Sequence, residues 1–243
     1  MQTTKRKHRW LHWILAGAGA LVVACGLYLG DYYRADEAAI AAFGTEDSVE
    51  VRVLADGRTA YLPEQPRVGL IFYPGGKVEH TAYVPLMQAC AREGILCVLT
   101  EMPFRLAVLD VDAADGIREQ FPDVEKWYIG GHSLGGAMAS AYLEARADAF
   151  EGLILLGAYA SADLSQSGLK VLSLYGSEDG VLDREKYDSS KTNLPENFTE
   201  TVIEGGCHAG FGLYGAQKGD GVPTLTAEEQ IEFTARAIAG FME

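Results

Sequence analysis

The sequence is poor in basic residues relative to acidic ones. Lysine and arginine number 20 against 34 aspartates and glutamates, and the formal net charge is −14. Several of the basic side chains are concentrated at the extreme N-terminus, so the rest of the chain is more acidic still. Proteins bind nucleic acid through lysine and arginine that neutralise phosphates, and anionic membrane surfaces attract the same side chains. We therefore exclude nucleic acid as a partner.

Cysteine is also scarce, and its spacing favours no metal site. Cys25 falls in an apolar N-terminal run, which leaves the odd set Cys90, Cys97 and Cys207. An odd set cannot pair completely, and the sequence has no Cys-x-x-Cys motif. We expect Cys90 and Cys97 to be two buried thiols, with a single bridge between them as the alternative in an oxidising compartment.

The N-terminus combines a basic cluster with a long uncharged run. Residues 5–9 are basic, and residues 10–30 contain no Asp, Glu, Lys or Arg. A helix over this run would be about 31 Å long, enough to cross a hydrocarbon layer of roughly 30 Å. Because a positive flank stays in the cytoplasm, a transmembrane helix here places the rest of the chain outside it.

Two other interpretations of the N-terminus stay open. Cleavage of a secretory signal near residues 18–20 would release the protein, although the new N-terminus would be strongly apolar. Residues 22–25 are similar to the sequence that precedes a lipid-modified cysteine, with Cys25 as the acceptor. The predicted organisation is a basic flank and anchor at 1–30, a juxtamembrane helix or linker at 31–47 and one folded domain at 48–243.

The domain alternates strand-like and helix-like segments. Strands are predicted at 49–54, 59–62, 68–73, 95–99, 126–130, 152–156, 171–175 and 198–203. Helices are predicted at 83–92, 111–121, 134–146 and 227–241. The first strand has a period of two and is expected to be half-buried, forming a hairpin with the second. Continuous apolar strands between helices predict an α/β fold, a mostly parallel sheet with helices on both faces, whose site lies at the carboxyl ends of the strands.

The motif Gly-x-Ser-x-Gly occurs at residues 131–135, between a predicted strand and a predicted helix. In a nucleophile elbow the serine occupies a strained turn, and the glycines let strand and helix approach each other. We predict Ser133 as the nucleophile and the backbone N–H of Leu134, at the helix N-terminus, as an oxyanion donor. A glycine-rich phosphate or packing turn is the alternative.

A serine nucleophile needs a general base, and in this type of sheet the partners follow in the order serine, acid, histidine. His208 is the one histidine after Ser133 and is therefore the predicted base. Asp179, just after a predicted strand, is the predicted acid that holds the imidazole tautomer and stabilises the imidazolium. Its rivals are Glu178, Asp183 and Asp163.

The loop at 74–78 is predicted to supply the second oxyanion donor, because its two glycines let the backbone approach a substrate. We assign this role to the Gly76 N–H, with that of Lys77 as the alternative. Lys77 and Tyr214 are also predicted to border the substrate pocket. Four residues after the predicted base either border the pocket or order the loop that carries His208: Tyr214, Gln217, Lys218 and Asp220.

These segments together resemble the α/β-hydrolase superfamily, and more narrowly its small, lid-less bacterial group known as α/β-hydrolase family 5. The resemblance covers about residues 48–243 and rests on YPGGKVE at 73–79, MPF at 102–104, GGHSLGG at 130–136, LYGSEDG at 174–180 and HAGFGLYGAQKGDG at 208–221. The elbow is common to the superfamily, whereas the last segment is more particular to the smaller group. The resemblance implies hydrolase chemistry at Ser133, Asp179 and His208.

The predicted function is a membrane-anchored serine hydrolase that forms an acyl-enzyme from an ester or related carbonyl, with no cofactor and no metal. Residues 158–169 are too few for a lid domain, which favours small esters or an acyl group on a larger molecule at the cell surface. Amide, lactone or thioester substrates are alternatives. A catalytically silent hydrolase fold that serves as a surface binding protein is the alternative of a different class.

Overall fold

The computed structural model describes residues 9–44 and 48–243, and the chain divides into two compact units between Tyr32 and Tyr33. The first unit contains helix α1, Arg9–Gly30. Residues His12–Gly30 of this helix have a mean hydropathy of 1.9 and none of them is buried. By length and composition α1 could cross a bilayer. Residues 5–8 of the predicted basic cluster and the predicted boundary at 47 lie outside the described residues.

The second unit is built on an eight-stranded sheet. Its strands are β1 (Glu50–Val53), β2 (Thr59–Leu62), β3 (Val68–Tyr73), β4 (Ile95–Leu99), β5 (Lys126–His132), β6 (Gly152–Leu156), β7 (Lys170–Gly176) and β8 (Thr199–Ile203). Their order is β1-β2-β4-β3-β5-β6-β7-β8. Strands β3 to β8 run parallel, and β1 and β2 add the predicted antiparallel hairpin at one edge.

Five further helices accompany the sheet in the described part of the chain. They are α2 (Glu37–Phe43), α3 (Val84–Arg92), α4 (Leu134–Leu143), α5 (Arg184–Ser190) and α6 (Ala227–Met242). Alternate residues of β3 enter two separate cores: Leu70 and Phe72 pack with residues of α3 and α6, whereas Ile71 and Tyr73 pack with residues of α4. Because successive side chains of a strand point to opposite faces, helices cover both faces, as predicted.

Two further features agree with the sequence prediction. The connection between β6 and β7, residues 157–169, contains turns and no helix, so no lid is evident there. Cys90 and Cys97 are free and fully buried, and burial together with the neighbouring Cys90 raises the pKa of the Cys97 thiol.

Several local predictions were wrong. The predicted helix at 111–121 is a series of turns with one short 3-10 turn, Arg118–Gln120. Gly116 there has a left-handed φ of 75°, and the Tyr73 hydroxyl bonds the carbonyl of Val111 and the N–H of Ala114. These side-chain bonds compete with helical pairing.

Three other segments differ from the sequence prediction. Strand β1 is exposed at all four residues rather than half-buried, because it is the outermost strand of the sheet. Helix α5 was not predicted. The predicted juxtamembrane helix is shorter than expected, since α2 begins at Glu37 and residues 33–36 precede it without helical structure.

Candidate active site

Ser133 lies at the carboxyl end of β5, in the turn that starts α4. Its φ of 53° and ψ of −121° are unusual for a residue with a side chain. A Cβ on Gly131 would lie 2.5 Å from the carbonyl carbon of Gly135, and one on Gly135 would lie 2.1 Å from the Tyr73 carbonyl oxygen. Both positions therefore require glycine, as the elbow motif predicts.

His208 and Asp179 form a buried pair at the neighbouring strand ends. Nδ1 of His208 lies 2.8 Å from Oδ2 of Asp179, and the side chains are 1% and 0% exposed. Oδ1 of the same carboxylate accepts the N–H groups of Val181 and Leu182 at 2.9 and 2.8 Å. These backbone bonds fix the carboxylate, which then orients the imidazole.

The unpaired ring nitrogen of His208 is the atom a base would use. Nε2 of His208 is buried and has no hydrogen-bond partner among the described residues. His208 and Ser133 line the same cavity of about 240 Å³. A larger cavity of about 510 Å³ lies near the following loop and contains neither of them in its lining. The smaller cavity is therefore the candidate site.

The rival carboxylates are engaged elsewhere. Glu178 accepts the Ser177 hydroxyl at 3.1 Å, Asp183 caps α5 through the Lys186 N–H, and Asp163 accepts the Ser165 N–H. Asp183 also borders the candidate cavity. Hydrogen bonds from the backbone and the side chain of Lys186 lower the pKa of Asp183. Among the candidates, Asp179 is the carboxylate that the fold brings to His208.

The backbone around Gly76 separates the two candidates for the second oxyanion donor. The Lys77 N–H already donates to the Arg105 carbonyl at 2.8 Å. Gly76 lies directly against the elbow, since a Cβ there would be 2.9 Å from Cδ2 of Leu134. The loop thus brings the Gly76 backbone beside Leu134, the first residue of α4, whose N–H has no partner within the helix.

The sequence around this site matches a known protein family. The model of the alpha/beta hydrolase family matches residues 69–232, which is more than half of the chain. The chain belongs to the alpha/beta hydrolase family. None of the curated proteins matches it in sequence.

Several solved structures have the same fold and align with this hydrolase over nearly their whole length. TT1662 from Thermus thermophilus has a TM-score of 0.58 at 18% identity, covering 80% of this chain and 96% of its own. Est1E from Butyrivibrio proteoclasticus has 0.55 at 16%, covering 81% and 98%. A dienelactone hydrolase from Anabaena variabilis has 0.58 at 12%, covering 80% and 97%. At such identities the likeness shows the fold.

Tyr83 contacts two parts of the candidate site, and no sequence motif marks it. Its hydroxyl accepts the Gly75 N–H at 3.1 Å and lies 2.7 Å from Nδ1 of His132. Burial raises the pKa of Tyr83, so the phenol stays protonated. Burial and then the nearby His208 lower the pKa of His132, whose ring centroid is 4.5 Å from that of His208. A neutral ring therefore packs against the candidate base.

Asp220 orders the loop that carries His208. Its Oδ1 accepts the N–H groups of Gly180, His208 and Gly221 at 3.1, 3.1 and 2.9 Å, and its Oδ2 accepts that of Ala209 at 2.8 Å. Burial alone would raise the pKa of this carboxyl, but the backbone N–H groups outweigh it and hold the pKa below its usual value. Asp220 thus joins the loop of the candidate acid to that of the candidate base.

The remaining predicted site residues, Lys77 and Tyr214, are not in the lining of the candidate cavity. Lys77 is in the loop after β3, and Tyr214 is buried with its hydroxyl 3.0 Å from Oε1 of Gln217. Neither lines the cavity around Ser133, and their contact with substrate stays a prediction. In the described part of the chain, no group of three or more His, Cys, Asp and Glu is placed to hold a metal ion.

Proposed function

We propose that this hydrolase cleaves an ester or related acyl carbonyl with Ser133 as nucleophile, His208 as base and Asp179 as the orienting acid. The observation that carries the proposal is the buried 2.8 Å pair of His208 and Asp179, whose histidine lines the same cavity as a serine in a strained elbow. Strained backbone persists where the surrounding structure enforces it, and such sites are often functional.

The proposed reaction begins when Nε2 of His208 takes the Ser133 proton and the hydroxyl oxygen attacks the substrate carbonyl. The N–H groups of Leu134 and Gly76 hold the oxyanion, and each such donor lowers a barrier by about 3–4 kcal/mol. Asp179 stabilises the imidazolium. His208 then protonates the leaving group, and an activated water releases the acid from the acyl-enzyme.

The cavity supports a compact, uncharged acyl group as the substrate class. Besides Ser133 and His208 it is lined mainly by small or apolar residues: Leu134, Ala137, Gly157, Ala158, Tyr159, Val181 and Leu182. Its volume of about 240 Å³ is small, and no lid closes it in the described structure. The leaving group therefore extends into solvent and can belong to a larger molecule. A lactone is the second candidate, favoured by the fold likeness to a dienelactone hydrolase.

The N-terminal helix supports a membrane-anchored form of the enzyme. None of the residues His12–Gly30 is buried, which leaves their apolar surface for lipid. With the basic residues 5–9 on the cytoplasmic side, the hydrolase domain would lie outside the cytoplasm. Intact mass of the membrane-extracted protein tests this, because retention of residue 1 supports an anchor. A diacylglyceryl group on Cys25 or a start near residue 20 supports the lipoprotein or the cleaved signal.

Turnover of 4-nitrophenyl acetate and butyrate by the full-length protein tests the proposed chemistry. We expect Ser133→Ala to lose at least roughly 10³-fold in kcat. The matched control is Ser189→Ala, since Ser189 is exposed on α5 and its hydroxyl bonds only the local Lys186 carbonyl. Full activity of Ser133→Ala would refute the assignment. A wild-type protein that neither turns over a broad ester and lactone panel nor reacts with a fluorophosphonate would instead be the silent binding fold.

A further inference from the structure

The short segment before α2 is hydrogen-bonded to the loop that carries Gly76. Tyr33 forms an isolated parallel bridge with Val78. The Tyr33 N–H donates to the Lys77 carbonyl at 2.8 Å, and the Tyr33 carbonyl accepts the Glu79 N–H at 2.9 Å. The Glu79 carboxylate in turn accepts the Ala35 N–H at 3.0 Å. Residues 33–35 therefore pair with this loop through a single parallel bridge and the neighbouring hydrogen bonds.

The same segment also holds the loop that follows His208. The hydroxyl of Tyr33 accepts the Lys218 N–H at 3.0 Å, and its ring lies 5.7 Å from the ring of Tyr214. The N–H of Asp36 donates to the Leu213 carbonyl at 2.8 Å. One segment thus contacts the two loops that carry the second oxyanion donor and the candidate base.

The contact with Lys77 matters because Lys77 directly follows Gly76 and has a left-handed φ of 59°. A residue with a side chain keeps such a conformation only when its surroundings fix it. The Lys77 N–H is held by the Arg105 carbonyl, and the Lys77 carbonyl is held by Tyr33. Tyr33 therefore helps to fix the peptides that aim the Gly76 N–H.

We propose that Tyr33 is a positioning residue that couples the oxyanion loop, residues 74–79, to the loop at 208–221. The inference rests on the proposed serine-hydrolase function. It assigns a part in the active site to the segment that leads from helix α1 into the domain. The family match begins at residue 69 and does not include this segment.

Full-length Tyr33→Ala and Tyr33→Phe test this role, with Tyr142→Phe as the matched control. Tyr142 is buried on α4 and its hydroxyl donates to Asp115 at 2.8 Å, so its variant also loses one tyrosine hydrogen bond. Titration with a fluorophosphonate counts competent sites, and kcat is expressed per titrated site. A trifluoromethyl ketone, which adds to the serine and forms an oxyanion, reports on the donors separately.

Tyr33→Ala keeps the backbone bonds to Lys77 and Glu79 but removes the side chain that ties this segment to the loop at 208–221. We therefore expect it to lower kcat per site about 10-fold and to weaken the ketone by a similar factor, with KM changed less than about 3-fold. Tyr33→Phe keeps the ring and the backbone, so a smaller loss of about 2- to 5-fold is expected. Tyr142→Phe should keep the wild-type kcat per site.

The inference is overturned if Tyr33 variants lose only titratable sites while kcat per site and ketone affinity stay at the wild-type values. Should Tyr33→Ala fail to fold, Tyr33→Phe decides the matter with the same two measurements. Ser133→Ala in the same series separates the two proposals: turnover that survives in Ser133→Ala removes the function itself, whereas an inactive Ser133→Ala with unaffected Tyr33 variants removes only the role of Tyr33.

Discussion

Gly157, the first residue after β6, offers a test of how closely the acid–base pair is fixed. Its φ is 51°, and a Cβ there would lie 3.0 Å from Nδ1 of His208 and 3.2 Å from Oδ2 of Asp179. Ordinary contacts of a carbon atom are about 3.5–4.0 Å. Alanine at 157 must therefore displace the pair by a few tenths of an ångström. Gly168, in the same connection, has a φ of 71° and open space around its Cβ position.

The two alanine variants separate backbone cost from contact. Both place a side chain in the left-handed region, which costs about 1–2 kcal/mol and lowers Tm by roughly 2–8 °C in a chain of this size. Only in Gly157→Ala does the new side chain crowd His208 and Asp179. Misplacement of a reacting group by about 1 Å can cost roughly 10²-fold, so for a shift of a few tenths of an ångström we expect kcat to fall about 5- to 10-fold. Gly168→Ala should stay within about 2-fold of wild type.

Steady-state turnover of 4-nitrophenyl butyrate and thermal unfolding, measured on the same preparations, check this prediction. The reasoning is refuted if Gly157→Ala and Gly168→Ala have the same kcat at comparable loss of Tm. That result would mean that the contact of residue 157 with His208 and Asp179 has no bearing on the reaction.

Three further predictions concern the supporting residues. Asp220→Asn replaces an acceptor oxygen by a donor amide beside backbone N–H groups, so kcat should fall about 10-fold with little change in KM. A variant with the wild-type kcat would contradict the proposal that Asp220 orders the loop of His208. Tyr83→Phe removes the acceptor of the Gly75 N–H, and we expect ketone affinity to weaken by about 3- to 10-fold, with no change as the contrary result. The pKa of His132 is lowered, so below about pH 6.5 the unfolded chain binds a proton that the folded one does not. The free energy of unfolding, measured in urea titrations, should therefore decrease as the pH is lowered below about 6.5, by up to about 1.4 kcal/mol per pH unit. His132→Gln should flatten this slope.

Local signals in the sequence were sufficient for the sheet and for the elbow. Apolar runs bounded by turn residues predict β3 to β7 because such strands are buried on both faces. The Gly131 and Gly135 spacing reflects close backbone contacts that any other residue would break. Chain order then leaves His208 as the one histidine available, and the structure brings it to Asp179.

Where the local pattern was misleading, long-range contacts are the reason. Residues 111–121 have the apolar spacing of a helix, but the buried Tyr73 hydroxyl, far away in sequence, takes their backbone groups. Strand β1 alternates like a half-buried strand, yet its position at the edge of the sheet leaves it exposed. Neither the bonds from Tyr73 nor the edge position of β1 can be read from the spacing of nearby residues.

The residues that hold the site loops in place were the hardest to predict from the sequence. Asp220, Tyr83 and Tyr33 form hydrogen bonds with backbone groups of other loops. A carboxylate between two glycines indicates a turn, but not that its oxygens bind the loops of both Asp179 and His208. The sequence left open whether Asp220 borders the pocket or orders the loop, and the four backbone bonds favour the second.

The role of Ser133 is tested most directly by locating the bond that a fluorophosphonate forms with the protein. Intact mass followed by peptide mapping gives both the stoichiometry and the position. We predict one adduct per chain, on the Ser133 oxygen, appearing in step with the loss of ester turnover, and no adduct on Ser133→Ala. An adduct on a different residue, or turnover that persists after Ser133 is fully modified, would contradict the account.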